Sequence, residues 1–177
     1  MIKIIENIIT KKEQEEIKNI LLGDNFPWYF TKDITNGKSE NNQGRMAFKH
    51  FYFFEQNINS SAYEKILPIV KNCLKKLNVI KYDMIEARSF LQLPLNKEII
   101  GDQIDTPHID KSFKHTVFLY YVLDSDGETI LFDKKEKRIK PKQGRVVIFD
   151  GDIEHTAIQP EKNARCIINF NVVLKDI

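Results

Sequence analysis

The chain has 177 residues and a net charge of +2, from 27 Lys and Arg against 25 Asp and Glu. That length suits one domain burying roughly 70% of the surface its unfolded form exposes, so neither a disulfide nor a structural metal is required for folding. Charge so near balance gives no general argument for nucleic acid, and no stretch of sequence is long and apolar enough to read as a membrane span.

Met1-Ile2-Lys3-Ile4-Ile5-Glu6-Asn7 breaks its apolar residues with charges too early for a signal-peptide core, so a cytoplasmic setting is expected. Thr10-Lys11-Lys12-Glu13 has capping-box spacing; it predicts a helix with Ile17, Ile20 and Leu21 on one stripe, ending near Gly23. Residues 32–45 are polar and rich in Asn and Gly, which predicts a loop, and residues 31–47 as a whole are a candidate lid. The aromatic runs that flank it, Pro27 to Phe30 and Phe48 to Phe54, are expected to pack against the main sheet. Ser61-Ala62-Tyr63-Glu64 repeats the helix-start signal, followed by a stripe of Ile66, Leu67, Val70, Cys73, Leu74 and Leu77 that Pro68 should kink. Cys73 in that stripe and Cys166 before Ile167-Ile168 read as free, buried thiols of a reducing compartment.

From Tyr82 onward the pattern changes to short β-rich runs with turn signals between them. The expected strands are Ile85 to Leu93, Gln103 to Asp110, Lys114 to Leu123, Glu128 to Asp133, Lys137 to Lys140, Arg145 to Asp150, Ile153 to Gln159 and Arg165 to Lys175. Asp126-Gly127, Gln143-Gly144 and Asp150-Gly151 mark tight reversals where glycine tolerates positive φ. Phe118 to Val122, Val146 to Phe149 and Cys166 to Ile168 are apolar on both sides, and a sheet buried on both faces needs an outer layer. The expected fold class is therefore α+β: an eight-stranded jelly roll of two sheets, with the N-terminal helices packed on one of them. The basic run from Lys134 to Lys142 reads as a solvated hairpin edge guarded by lysines, with contact to a phosphate backbone or an acidic substrate as the other reading.

The chemistry resides in His108-Ile109-Asp110, His155 and Arg165. In an extended segment positions i and i+2 point the same way, so His108 and Asp110 suit one metal ion, and Pro107 favours that geometry in Thr106. His155 would supply the third ligand from a distant strand. Two imidazoles and one carboxylate hold Fe(II) on one face and leave the other open to small molecules, a catalytic rather than a structural arrangement. Arg165 opens a strand whose same-face residues are Ile167, Asn169 and Asn171, a polar set amid apolar neighbours that calls for partners such as a carboxylate ligand. His50 and His115 receive no role.

Read together, Thr106-Pro107-His108-Ile109-Asp110, Tyr120 to Leu123, Asp126 to Thr129, Lys142 to Asp150 and the span from His155 to Arg165 resemble the prolyl-4-hydroxylase-like branch of the 2-oxoglutarate/Fe(II) oxygenase superfamily. The resemblance implies a double-stranded β-helix, cupin-like, within a single domain over 1–177: helical and aromatic support over 1–80, catalytic core over 81–177. It implies Fe(II) held by His108, Asp110 and His155, with 2-oxoglutarate as cosubstrate, O2 as oxidant and ascorbate as an optional reductant. The metal strands and the arginine strand of the family face each other across roughly 10 Å. Arg165 would pair with the far carboxylate of the cosubstrate, helped by an inward Tyr121, while Tyr120 turns outward under the helices. Asn169 would touch the cosubstrate or its waters, and Gln92 is a further candidate. The implied reaction hydroxylates an unactivated C–H bond and releases succinate and CO2; the carboxylate of Asp110 favours hydroxylation over halogenation. A peptidyl or protein proline is the substrate the resemblance suggests, with a nucleic acid or a small molecule as alternatives. A cupin-like metal isomerase or a jelly-roll binding module without turnover is the rival class, and neither requires an arginine opposite the metal. Oligomeric state is not encoded.

Overall fold

The structure is a computed structural model that describes residues 1–34, 45–95 and 104–175. Its elements are β1 (Ile2–Ile5), α1 (Lys11–Leu21), β2 (Tyr29–Thr31), β3 (Ala47–Phe54), β4 (Asn57–Ile58), α2 (Tyr63–Leu77), β5 (Tyr82–Gln92), β6 (Thr116–Tyr121), β7 (Thr129–Phe132), β8 (Glu136–Ile139), β9 (Val146–Asp150), β10 (Glu154–Ala157) and β11 (Arg165–Leu174). A large sheet runs β1-β9-β6-β11-β5-β3-β2, with β4 paired to β3, and a small sheet runs β10-β7-β8; every pairing is antiparallel. No helix among the described residues is long and apolar enough to cross a membrane.

Strand alternation divides the interior into two cores. On one face of the large sheet Ala87, Phe118, Tyr120, Ile148, Ile168 and Phe170 share a cluster with Ile17 and Leu21 of α1 and with Ile66, Val70 and Cys73 of α2. On the other face Phe90, Val117, Leu119, Tyr121, Val147 and Ile167 meet Leu131 and Ile139 of the small sheet. Tyr120 and Tyr121 therefore diverge, the first toward the helices and the second between the sheets. Both cysteines are free and buried, Cys73 and Cys166 in the helix-side cluster, and burial pushes each thiol up to about 12.

The capping box of α1 forms as its sequence predicts: Thr10 accepts from the Glu13 amide, and the Glu13 carboxylate accepts from the Thr10 amide. For α2 it does not. Its N-cap is Ala62 with no side-chain cap, and Ser60 rather than Ser61 supplies a hydroxyl, accepting from the Ala62 amide at 3.2 Å. Asn78 ends α2 in the left-handed region (φ 57°), a conformation its short polar side chain tolerates.

Other departures have equally local causes. The aromatic runs flanking 32–45 do not lie against the sheet; they are its strands β2 and β3, and β1 adds the opposite edge. The strand expected from Gln103 to Asp110 is reduced, within the described residues, to bridges at Ile104 with Ile158 and His108 with His155. Pro107 has no N–H to continue that ladder. Among the three turn glycines only Gly144 has positive φ (81°). Gly127 and Gly151 are demanded by space instead: an added Cβ would lie 2.7 Å from the Ile158 oxygen and 2.1 Å from the His115 ring, respectively. The basic run lies on β8, an exposed edge of the small sheet. Residues 35–44 of the candidate lid lie outside the described residues; at its base the Ile34 amide donates to the Arg45 carbonyl at 2.9 Å.

Phe170 is fully buried between β11 and the helices. Phe170→Ala should lower the stability by about 3–5 kcal/mol, read from the urea unfolding midpoint, because the cavity cannot close beneath two packed helices.

Candidate active site

His155 is the second residue of β10, and its backbone exchanges both hydrogen bonds with His108, at 3.0 Å each. That register sets the two imidazoles side by side, with ring centroids 4.8 Å apart. Asp110 returns to the same side two residues later, with its Oδ1 3.8 Å from His108 Nε2. The ligand atoms of His108, Asp110 and His155 all lie within 4.8 Å of one another. Each imidazole places Nδ1 against a backbone carbonyl two residues earlier, His108 on Thr106 at 3.1 Å and His155 on Ile153 at 3.2 Å. With Nδ1–H donating there, Nε2 keeps its lone pair for a metal.

The charges suit a cation. Burial pushes His155 down to about 4 despite the nearby Asp110 carboxylate, so the imidazole is neutral at pH 7. For Asp110 burial alone would raise the pKa, but the Arg88 guanidinium, His155, the Asn169 amide and His108 together hold it well below the ordinary carboxylate range. Arg88 Nη2 donates to Asp110 Oδ1 at 2.7 Å, and Asn169 Nδ2 to Oδ2 at 2.8 Å. Two imidazoles and an ionised carboxylate with one open side are the donor set that Fe(II) takes in non-haem oxygenases.

Arg165 lies four residues before Asn169 on β11, roughly 13 Å along the strand. Its guanidinium is buried and donates to the Gly127 carbonyl at 3.0 Å, Gln92 Oε1 at 3.0 Å and Thr129 Oγ1 at 2.8 Å. Three of five N–H groups are thereby used, which leaves two for a ligand. A cavity of ≈ 60 Å³ joins the two ends: His108, Asp110 and His155 line it together with Thr129 and Arg165, and Leu119 and Ile167 contribute apolar wall. Larger hollows of ≈ 740 and ≈ 730 Å³ elsewhere on the surface contain no member of the triad.

Other residues singled out from sequence are present but one contact further back. Tyr121 points inward, and its hydroxyl donates to Thr129 Oγ1 at 2.8 Å, so it supports the residue beside Arg165 and does not line the cavity. Gln92 accepts from Arg165 and donates to Asp105 at 3.3 Å and Gln159 at 3.1 Å. Asn169 lines the cavity but spends its amide on Asp110.

Sequence reasoning missed Thr129, Arg88, Glu86 and Asp105. The signal for Glu86 and Arg88 is their i, i+2 spacing in the middle of a strand whose neighbouring residues are apolar or small, which puts two charges on one buried face. Asp105 lines the cavity, its Oδ1 2.9 Å from Arg45 Nε. Burial raises it to about 6 against the pull of Arg45 and Arg165.

The fold is shared with solved structures at low sequence identity. An oxidoreductase of the 2OG-Fe(II) oxygenase family from Burkholderia pseudomallei superposes with a TM-score of 0.75 at 12% identity, covering 97% of this chain and 84% of its own. The viral collagen prolyl hydroxylase of Paramecium Bursaria Chlorella virus-1, solved as a 2OG complex, gives 0.61 at 17% identity, covering 97% and 94%. A prolyl hydroxylase from Trichoplax adhaerens, solved with a hypoxia inducible factor peptide, gives 0.66 at 14% identity, covering 96% and 82%. No curated protein matches the chain in sequence. Sequence family and shared fold together define a 2-oxoglutarate-dependent oxygenase. The aspartyl/asparaginyl beta-hydroxylase family model matches residues 12–174, and the chain belongs to that family.

The raised Asp105 pKa has a measurable sign. Its contribution to stability is complete below the unfolded value of 3.8 and is lost as pH rises through about 6. Relative to Asp105→Asn, the metal-free protein should therefore gain on the order of 3 kcal/mol between pH 7 and pH 4. Urea unfolding at a series of pH values checks this, and parallel profiles for the two proteins would contradict it.

Proposed function

We propose that this protein hydroxylates an unactivated C–H bond of a peptidyl substrate, using Fe(II), O2 and 2-oxoglutarate and releasing succinate and CO2. The observation that carries the reading is the shared cavity, with three metal-donor side chains and the buried, partly unspent guanidinium of Arg165 in its walls. His108, Asp110 and His155 would hold the iron, which when bound supplies the activation of O2. Arg165 and Thr129 would take the far carboxylate of 2-oxoglutarate, with Gln92 and Tyr121 fixing their orientation and Asn169 fixing Asp110. Leu119, Ile167 and Phe90 would keep bulk water from the reacting atoms, where desolvation strengthens each of these contacts.

The same reading covers the architecture. On this reading β5, β6, β9 and β11 of the large sheet, with β7, β8, β10 and the bridged segment around 104–108 opposite them, would correspond to the eight strands of a double-stranded β-helix. A single domain over 1–177 follows, with 1–80 supporting the core over 81–177, as does a reducing cytoplasmic setting that keeps iron ferrous and both cysteines free. A peptide is favoured as substrate because the family is named for hydroxylation of aspartyl and asparaginyl residues, and similar folds belong to hydroxylases of prolyl residues. A proline within a peptide or protein is the residue first tested.

Anaerobic addition of Fe(II) and then 2-oxoglutarate should produce a visible metal-to-ligand charge-transfer band; a colourless mixture would remove the cosubstrate from the proposal. Arg165→Ala should weaken 2-oxoglutarate binding by roughly 3 kcal/mol, about a hundredfold, while iron binding survives. His108→Ala, Asp110→Ala and His155→Ala should each abolish Fe(II)-dependent succinate release from a folded protein. Near-normal turnover in any of the three would show that the ligand set is wrong.

A further inference from the structure

Asp110 is held by more than its place in the chain. In the register of β5 and β11, Asn169 lies opposite Arg88 and Asn171 opposite Glu86. These four side chains form a buried polar patch on a face that is otherwise Phe90, Val117, Leu119, Tyr121 and Ile167. The patch grips Asp110 by both oxygens, through Arg88 at 2.7 Å and Asn169 at 2.8 Å. Arg88 Nη1 is in turn paired with Glu86 Oε1 at 2.8 Å, and Glu86 Oε2 with Lys111 Nζ at 2.9 Å. The guanidinium also stacks over the Phe90 ring, 5.1 Å from its centroid, which restrains its plane. Four charges of alternating sign thus run from Lys111 through Glu86 and Arg88 to Asp110.

Burying such a series is costly, and well-packed apolar residues would often serve stability better. What the series does supply is orientation. A carboxylate on a short side chain rotates about its last torsion; charge-assisted donors on separate oxygens fix its plane, and each oxygen keeps a lone pair for a further partner. Lys in place of Arg88 would deliver the charge without the fork that reaches Glu86 and Asp110 together.

We propose that Arg88, braced by Glu86, is the positioning residue that sets the Asp110 carboxylate for the metal. The inference rests on the metal centre proposed above and adds the device that shapes it. Contacts that orient a ligand typically change metal affinity by about 10–100-fold when removed. If the Arg88–Asp110 pair served only to hold the strands together, its loss would lower stability and leave metal affinity unchanged.

The test titrates the metal-free full chain with Co(II), reading the dissociation constant by calorimetry and the d–d absorption band at saturation. Arg88→Met should bind Co(II) about 10–100-fold more weakly with an altered band, and Arg88→Lys should recover part of the loss. Should Arg88→Met fail to fold because Glu86 loses its partner, the double variant Glu86→Gln/Arg88→Met removes both charges and carries the same expectation. Unchanged affinity and an unchanged band in whichever of these is folded overturn the role of Arg88. His108→Ala separates the two readings: if it weakens Co(II) binding while the Arg88 variants do not, the positioning role alone fails. If it too binds as wild type, the metal centre fails with it.

Discussion

The two faces of one sheet must satisfy opposite demands, and the rest of the structure depends on that constraint. Along β11 Cys166, Ile168 and Phe170 pack under the helices, while Arg165, Ile167 and Asn169 face the small sheet. β6 and β5 alternate in the same phase. A slip of one residue in any of these strands would turn the site outward into the helix core and leave buried charges without partners. Helix packing on the outer face therefore fixes the register that assembles the inner one, and the N-terminal helices act on the site without touching it.

The site reads as two stations on one strand. Asn169 meets the cluster of His108, Asp110 and His155 through its bond to Asp110, and Arg165 closes the other end of the cavity, bonded to Thr129, Gln92 and the Gly127 carbonyl. The spacing between them is set by backbone rise, so it is as rigid as the sheet. The opposite wall is less regular: His108 and Asp110 sit on a segment joined to β10 by isolated bridges, and Pro107 interrupts its pairing. The buried charges of Glu86 and Arg88, with the half-buried Lys111, lie beside the part of that segment beyond its last bridge.

Sequence made the chemistry more legible than its supports. His108, Asp110, His155 and Arg165 stand out because polar and ionisable residues interrupt apolar strands at metal-ligand spacing, and the structure brings all four to one cavity. As site residues, Tyr121, Gln92 and Asn169 enter only through the family resemblance, and sequence does not give their contacts, since a side chain that lines a site and one that braces it share the same alternation. The Glu86 and Arg88 pair is hard to read from sequence, because charge on a strand usually means a solvated face and here both are buried. The run from Phe48 to Phe54 reads as aromatic packing because its rings mask the strand alternation, and the helix-start signal at Ser61 goes unused because α2 begins after Ala62 without a side-chain cap.

The burial of Cys73 and Cys166 has a chemical corollary. With each thiol raised to about 12, the reactive thiolate is present at roughly one part in 100,000 at neutral pH. Both cysteines are thus poor targets for the oxidants that accompany iron and dioxygen, and they stay reduced without a thiol reagent for as long as the two packed elements that cover them stay folded.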